Sequence, residues 1–319
     1  MWLPMLLISF GVAVNPASGA SAIQAQEATE LERALAGAEA DRNWVKAVEI
    51  AAILAEQTEA GHLEALFRLA RLHALAGHAA DAIDCLEKIR GTGLFDVHRI
   101  RTDGAFDSIR EDGRFQTVSQ GIWFDGYLYL LERPERDAYQ QPDRVMASLA
   151  FREGERVAEI GAGSGYFTRR VARAVGPRGT VLAVDIAPEL LSYLEDRAGR
   201  EGLTNIRFQR VEKDDPQLPA GACDTVLMVD TLHYIPAQER GRYAKKIREG
   251  LAPGGRLAII DFRPKPLEER PWGPPPSQKM TREEVDAAMF EAGLVPVRVH
   301  DFLSEQFFVE YAVGALGTR

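Results

Sequence analysis

Cysteine is almost missing. Only Cys85 and Cys223 occur in 319 residues, far apart and with no Cys-x-x-Cys or Cys/His pairing. That excludes a disulfide framework and a zinc site of the usual cysteine-containing kind, and two buried free thiols are expected. No metal centre is expected elsewhere in the chain. An excess of positive charge is missing too: 38 Lys and Arg stand against 47 Asp and Glu, a net charge of −9. A surface built to neutralise phosphate needs the opposite balance, so no nucleic-acid partner is expected. Residues 27–120 alone hold 11 basic and 17 acidic side chains, so no basic domain hides in the front half. Beyond residue 26 there is no apolar run long enough to span a bilayer, and the mean hydropathy is −0.18. What is present is ordinary for a globular chain: 46% apolar and 27% charged residues, enough for two domains.

The first 26 residues carry no charge at all. An apolar run from Leu3 to Val14 is followed by small residues from Ala17 to Ala22, with Ala20-x-Ala22 as a cleavage pattern. This fits the apolar region of a secretory signal, although no Lys or Arg precedes Arg33. Export or N-terminal anchoring is therefore expected over a cytoplasmic location.

From residue 27 to about 120 the apolar spacing is helical and strand signals are absent. The stretch Ala65 to His73, then Gly77, Ala82, Ile83 and Leu86, resembles a tetratricopeptide repeat, with small residues where two antiparallel helices approach. Ala47 lies 35 residues before Ala82, close to that family's repeat length. A third, degenerate unit is expected from Asp103 to Phe115. Such a domain offers a groove for a protein partner, or caps the domain that follows; two to three repeats favour the cap. Residues 121–141, rich in aromatics from Trp123 to Tyr139, read as a linker that serves either as a lid over a ligand or as a hydrophobic seam.

From residue 142 to 319 strands and helices alternate. Strands are expected at 156–160, 180–185, 206–211, 223–229 and 256–262, with helices between them and two late strands, 295–302 and 307–313, forming an antiparallel pair. Repeated strand–helix units require right-handed crossovers and a mostly parallel sheet, so the fold class is α/β and Rossmann-like behind an all-α front domain. Ligands of such sheets bind beyond the strand C-termini.

Glycines 161, 163 and 165 follow the first strand, and spacing narrows their ligand. A dinucleotide fingerprint needs its third glycine where Tyr166 stands. Glu159, two residues before Gly161, would repel a pyrophosphate but suits a cationic ligand. Asp185 ends the second strand 20 residues after Gly165, the distance at which a carboxylate meets both ribose hydroxyls.

With Cys223-Asp224-Thr225-Val226-Leu227 and Leu251-x-Pro253-Gly254-Gly255-Arg256-Leu257, these features make residues 140–319 resemble a class I S-adenosylmethionine-dependent methyltransferase. The resemblance implies a seven-stranded sheet and S-adenosylmethionine as cofactor. It also implies that Gly161, Ala162, Gly163 and Gly165 bring backbone under the methionine and ribose. Glu159 would face the methionine end, Asp185 the ribose diol, and Ile186 the adenine. Asp214 is assigned to the adenine amine, with Asp215 as the alternative.

Asp230-Thr231-Leu232-His233-Tyr234 follows the fourth strand, where this family approaches the transferred methyl. Methyl transfer is an in-line displacement, so the protein mainly orients the acceptor and removes its proton. His233 is the natural base, Tyr234 can orient it or bind substrate, and Asp230 completes the catalytic candidates. The alternative for His233 and Tyr234 is that they only pack the strand end. Neither an Asn-Pro-Pro-Tyr motif nor a cysteine pair is present, so the acceptor is open; a small molecule is expected. The proline-rich stretch 263–280 is expected to rim the site.

Overall fold

The computed structural model describes residues 22–57, 62–90, 96–266, 269 and 273–314. Residues 1–21 of the signal-like segment lie outside these residues, and part of the proline-rich stretch does too. The chain divides between Leu130 and Leu131 into two compact units.

The first unit is helical: α1 (Ala22–Ala40), α2 (Trp44–Gln57), α3 (His62–Leu75), α4 (Ala79–Ile89), α5 (Val97–Thr102) and α6 (Gly113–Glu132). In α4 the buried residues Ala82, Ile83, Cys85, Leu86 and Ile89 form one stripe, which is what a period of 3.6 places against a neighbour. Ala47 and Ala82 each occupy the fourth position of their helix and are fully buried, so α2 and α4 use the same small residue at the same place. Arg68 on α3 holds Glu32 and Glu39 on α1 at 2.7 and 2.8 Å. Both cysteines are free and buried.

Two expectations change here. The segment expected as a third repeat begins as a six-residue 3-10 turn, Gly104–Ile109, capped by the Asp103 side chain. The expected boundary at residue 120 falls inside α6, which runs on through Gly121 and Gly126 to Glu132. Glycine costs a helix only about 1 kcal/mol per site, and these two do not break it.

In the second unit α7 (Glu135–Gln140) and α8 (Pro142–Leu149) precede β1 (Arg156–Ile160), α9 (Thr168–Val175), β2 (Thr180–Asp185), α10 (Pro188–Arg200), β3 (Ile206–Arg210) and β4 (Cys223–Val229). Then come α11 (Arg240–Gly250), β5 (Leu251–Phe262), α12 (Arg282–Glu291), β6 (Leu294–His300) and β7 (Gln306–Val313). The strand order is β3-β2-β1-β4-β5-β7-β6, with β1 to β5 parallel and β7 antiparallel to both β5 and β6.

Alternation along the strands feeds two cores. Ala158, Val226, Met228, Leu257 and Ile259 pack with Tyr243 and Ile247 of α11 and Val285 and Met289 of α12. Val157, Leu227, Val229, Ala258 and Ile260 pack with Val171 and Val175 of α9, Leu194 of α10 and Leu149 of α8. Strands covered on both faces read as nearly unbroken apolar runs, as Val226 to Val229 does. Pro253-Gly254-Gly255, expected as a turn ahead of the strand, is instead a bulge within β5: Leu251 pairs with Cys223, and Arg256 with Thr225. The start of α12 is capped from both sides, Thr281 Oγ1 accepting from Glu284 N and the Glu284 carboxylate accepting from Thr281 N. Among the described residues no helix is long and apolar enough to cross a membrane.

Candidate functional site

Because β1, β2, β4 and β5 run parallel, Ile160, Asp185, Val229 and Phe262 end on one edge of the sheet, and the loops after them converge there. Gly161 and Ala162 both donate to the Val184 carbonyl, at 2.8 and 3.0 Å, which ties the glycine loop to β2. Gly161 and Gly165 have φ of +76° and +81°, in the left-handed region that side chains other than glycine's adopt at a cost. A Cβ on Gly161 would overlap Thr231, and one on Gly165 would overlap Leu194 of α10. The close helix approach that a dinucleotide site obtains from its third glycine is thus supplied at Gly165, one residue early. Tyr166 is held between the guanidinium groups of Arg136 and Arg170, at 4.1 and 4.2 Å, and donates to Asp137. Gly165→Ala is expected to destabilise the fold by about 2–4 kcal/mol, from left-handed strain plus overpacking. The check is a fall in the urea midpoint of the full chain.

Asp185 is buried, with Oδ2 accepting from Gly163 N at 2.8 Å and Oδ1 from Ala187 N at 2.9 Å. Burial raises its pKa, and the backbone N–H groups pull the other way. Glu159 is buried and accepts from Thr168 Oγ1 at 2.5 Å. Its carboxyl is pushed up to about 8, chiefly by burial; Thr168 and Arg136 oppose this, and Asp185 adds to it. Ile186 is half-buried, and Asp214 is exposed in the turn Glu212–Asp215, its carbonyl accepting from Lys246 Nζ at 3.0 Å. The alternative adenine contact, Asp215, is paired with Lys246 at 2.8 Å.

The three catalytic candidates separate by environment. Asp230, at φ +51°, is anchored by its N–H to the Ile260 carbonyl. Its carboxylate accepts from Gln140 Nε2 at 2.7 Å and from Gln306 Nε2, with Arg136 at 3.9 Å. Burial raises its pKa, Arg136 works against that, and Asp261 adds to it. Both carboxylate oxygens of Asp230 are thus engaged by the fold. His233 is buried; its Nδ1 lies 2.8 Å from Asp261 Oδ1, and its backbone N–H donates to Asp261 Oδ2 at 3.1 Å. Burial would lower the His233 pKa, but the charge and hydrogen bond of Asp261 outweigh it and the pKa is raised. Tyr234 is partly exposed, its ring 4.2 Å from that of His233; Phe262 lies 6.3 Å from His233, and Tyr139 lies 6.1 Å from Phe262.

Asp261 escaped the sequence reading, as did Gln306 and Arg136. A signal for Asp261 existed: a lone carboxylate closing an apolar strand, Ile259-Ile260-Asp261, as Asp185 and Asp230 follow theirs. Nothing local marks Gln306 or Arg136.

The family described as "Methyltransferase domain" matches residues 157–255. A solved S-adenosylmethionine-dependent methyltransferase from Aquifex aeolicus is 26% identical and superposes with a TM-score of 0.53, over 59% of this chain and 97% of that one. The C-terminal part is a class I S-adenosylmethionine-dependent methyltransferase domain. Among curated relatives, a ubiquinone/menaquinone biosynthesis C-methyltransferase from Stutzerimonas stutzeri is 32% identical over 35% of this chain and 43% of its own length. A 27-O-demethylrifamycin SV methyltransferase from Amycolatopsis mediterranei is 28% identical over 58% of this chain and 69% of its own. The chain thus spans less than half of the first relative and about two thirds of the second.

The residues of this methyltransferase domain fit S-adenosylmethionine. Glu159 is a buried carboxyl whose pKa is raised chiefly by burial, and an ammonium beside it would favour its charged form. Each Asp185 oxygen, occupied by one backbone N–H, keeps capacity for a ribose hydroxyl. A separate concavity of about 380 Å³ on the outer face of α9, lined by Arg169, Arg170, Arg173 and Arg197, is not a comparable site. Its guanidinium groups are already paired with Glu132, Asp137 and Glu201.

Proposed function

We propose that this protein methylates a small molecule bearing an ionisable hydroxyl or an acidic carbon, with His233 as the base. The observation that carries the reading is the buried His233–Asp261 pair at the ends of β4 and β5, beside the glycine loop. S-adenosylmethionine supplies an electrophilic methyl on a sulfonium, a leaving group that needs no acid. With Nδ1 donating to Asp261, His233 keeps Nε2 to take the acceptor's proton. The Asp261 charge stabilises the imidazolium that results and holds the ring in one orientation, so Asp261 is a positioning residue. Tyr234, Phe262 and Tyr139 give the surroundings of His233 an aromatic character that suits a ring-bearing acceptor. The printed names of two curated relatives, a ubiquinone/menaquinone biosynthesis C-methyltransferase and a 27-O-demethylrifamycin SV methyltransferase, support a small-molecule acceptor. Within the helical unit, the equivalent places of Ala47 and Ala82 support reading α1–α2 and α3–α4 as two copies of one hairpin repeat.

The experiment measures S-adenosylhomocysteine release by the full chain over a panel of phenols, quinols and enolisable ketones. On any acceptor turned over, His233→Asn is expected to lower kcat by about 10²–10⁴-fold with cofactor affinity unchanged. The raised His233 pKa makes the rate fall as pH drops through a value above 6.5, because the base must be neutral. Asp261→Asn removes the charge that raises this pKa and is expected to move the acid limb to lower pH. Equal turnover by His233→Asn would remove the base from the mechanism.

A further inference from the structure

We propose that the turn joining α3 to α4 is a divalent transition-metal site whose protein ligands are His73, His78 and Asp81. It lies within the helical unit and does not depend on the methyl-transfer reading. One ligand atom from each of these residues lies within 4.8 Å of the others. His73 stands in the last turn of α3, His78 at the N-cap of α4 and Asp81 in its first turn. The His78 N–H donates to the His73 carbonyl at 2.8 Å, which fixes the turn.

Two local features have no other account in the fold. The His73 Nδ1 is sealed from solvent and has no hydrogen-bond partner among the described residues, a state that native structures rarely tolerate for a ring nitrogen. Asp81 Oδ2 stands 3.9 Å away, beyond hydrogen-bond range. His78 takes a position normally held by Ser, Thr, Asp or Asn, yet its side chain makes no capping bond. A tetrahedral ion with bonds of about 2.0–2.2 Å holds its ligands about 3.4 Å apart. The observed gap is therefore close to that of two ligands of one ion. His78 and Asp81 are exposed, so their side chains can turn onto it without disturbing the core.

The donor set decides the class of ion. Two imidazoles and one carboxylate favour zinc and its neighbours over magnesium or calcium, which prefer all-oxygen shells. Three protein ligands leave the fourth position to water. Bound there, the ion would link the end of α3 to the start of α4. The expectation of no metal centre rested on the scarcity of cysteine; these ligands are two histidines and an aspartate, brought together by the turn that reverses the chain.

The test uses tag-free, full-length protein stripped with a chelator, titrated with Zn²⁺ by calorimetry and with Co²⁺ by visible absorbance. The expected result is one ion per chain, with the absorption bands of tetrahedral Co²⁺ and a Zn²⁺-dependent rise in melting temperature. His78→Ala and Asp81→Ala change exposed side chains, so the fold persists. Each is expected to weaken Zn²⁺ binding at least tenfold, and together they should abolish the thermal shift. S-adenosylhomocysteine binding should be unchanged in both. Absence of stoichiometric Zn²⁺ uptake by the unaltered protein, or uptake undiminished in the double variant, would overturn the proposal.

Discussion

Asp185→Ala is expected to weaken S-adenosylhomocysteine binding by more than tenfold in calorimetric titration of the full chain. A single ribose hydroxyl donating to a carboxylate contributes about 1.5–3 kcal/mol, and 1.4 kcal/mol is a factor of ten, so one such bond already meets that bound. The structure adds a second reason. The same carboxylate holds the Gly163 and Ala187 N–H groups at 2.8 and 2.9 Å, so its removal also loosens the loop that must lie under the cofactor. Asp185→Asn separates the two effects. Its amide keeps one acceptor oxygen but turns an NH₂ toward a backbone donor or a hydroxyl, so an intermediate loss is expected. Full affinity in a folded Asp185→Ala protein would show that the ribose is held elsewhere.

Cofactor affinity is also expected to rise with pH, by up to about tenfold per unit, and to level off near pH 8. The group responsible is Glu159. Its carboxyl, ordinarily near 4.5, is pushed up to about 8 chiefly by burial, so without ligand it is protonated at neutral pH. An ammonium placed beside it requires the carboxylate, and binding between those two values must release a proton. Calorimetry in two buffers of different ionisation enthalpy counts that proton directly. Glu159→Gln should abolish both the proton release and the slope; affinity independent of pH in the unaltered protein would remove Glu159 from the ammonium contact. The sign for stability is opposite in the free domain. A carboxyl whose folded pKa lies above its unfolded value stabilises fully below 4.5, and that contribution is lost as pH rises through 8. The loss runs at up to about 1.4 kcal/mol per pH unit. Ligand-free protein should therefore soften as the solution becomes alkaline, and bound cofactor should offset the loss.

Much of this architecture could be read locally. The strands expected at 156–160, 180–185, 206–211, 223–229, 256–262, 295–302 and 307–313 correspond to β1 to β7. The replacement of the third fingerprint glycine by Tyr166 had a physical meaning that only packing disclosed, since Gly165 takes over the close contact with Leu194. Where local cues were weak the reading slipped. The aromatics from Trp123 to Tyr139 read as a linker, yet α6 runs through Gly121 and Gly126 to Glu132 because the cost of two glycines is small against the rest of a 20-residue helix.

Short-range patterns in the chain set the order and type of the elements, the position of the glycine loop and the acidic residue that ends β2. These follow from short-range sterics and from the burial of alternate side chains. Tertiary structure alone decided which polar groups meet. His233 finds Asp261 28 residues away, and Asp230 finds Gln140 and Gln306 at separations of 90 and 76 residues. No periodicity encodes such pairs. They exist because β5 is laid beside β4 with β7 outside it, and because groups desolvated at one edge of a sheet must pair there or stay neutral.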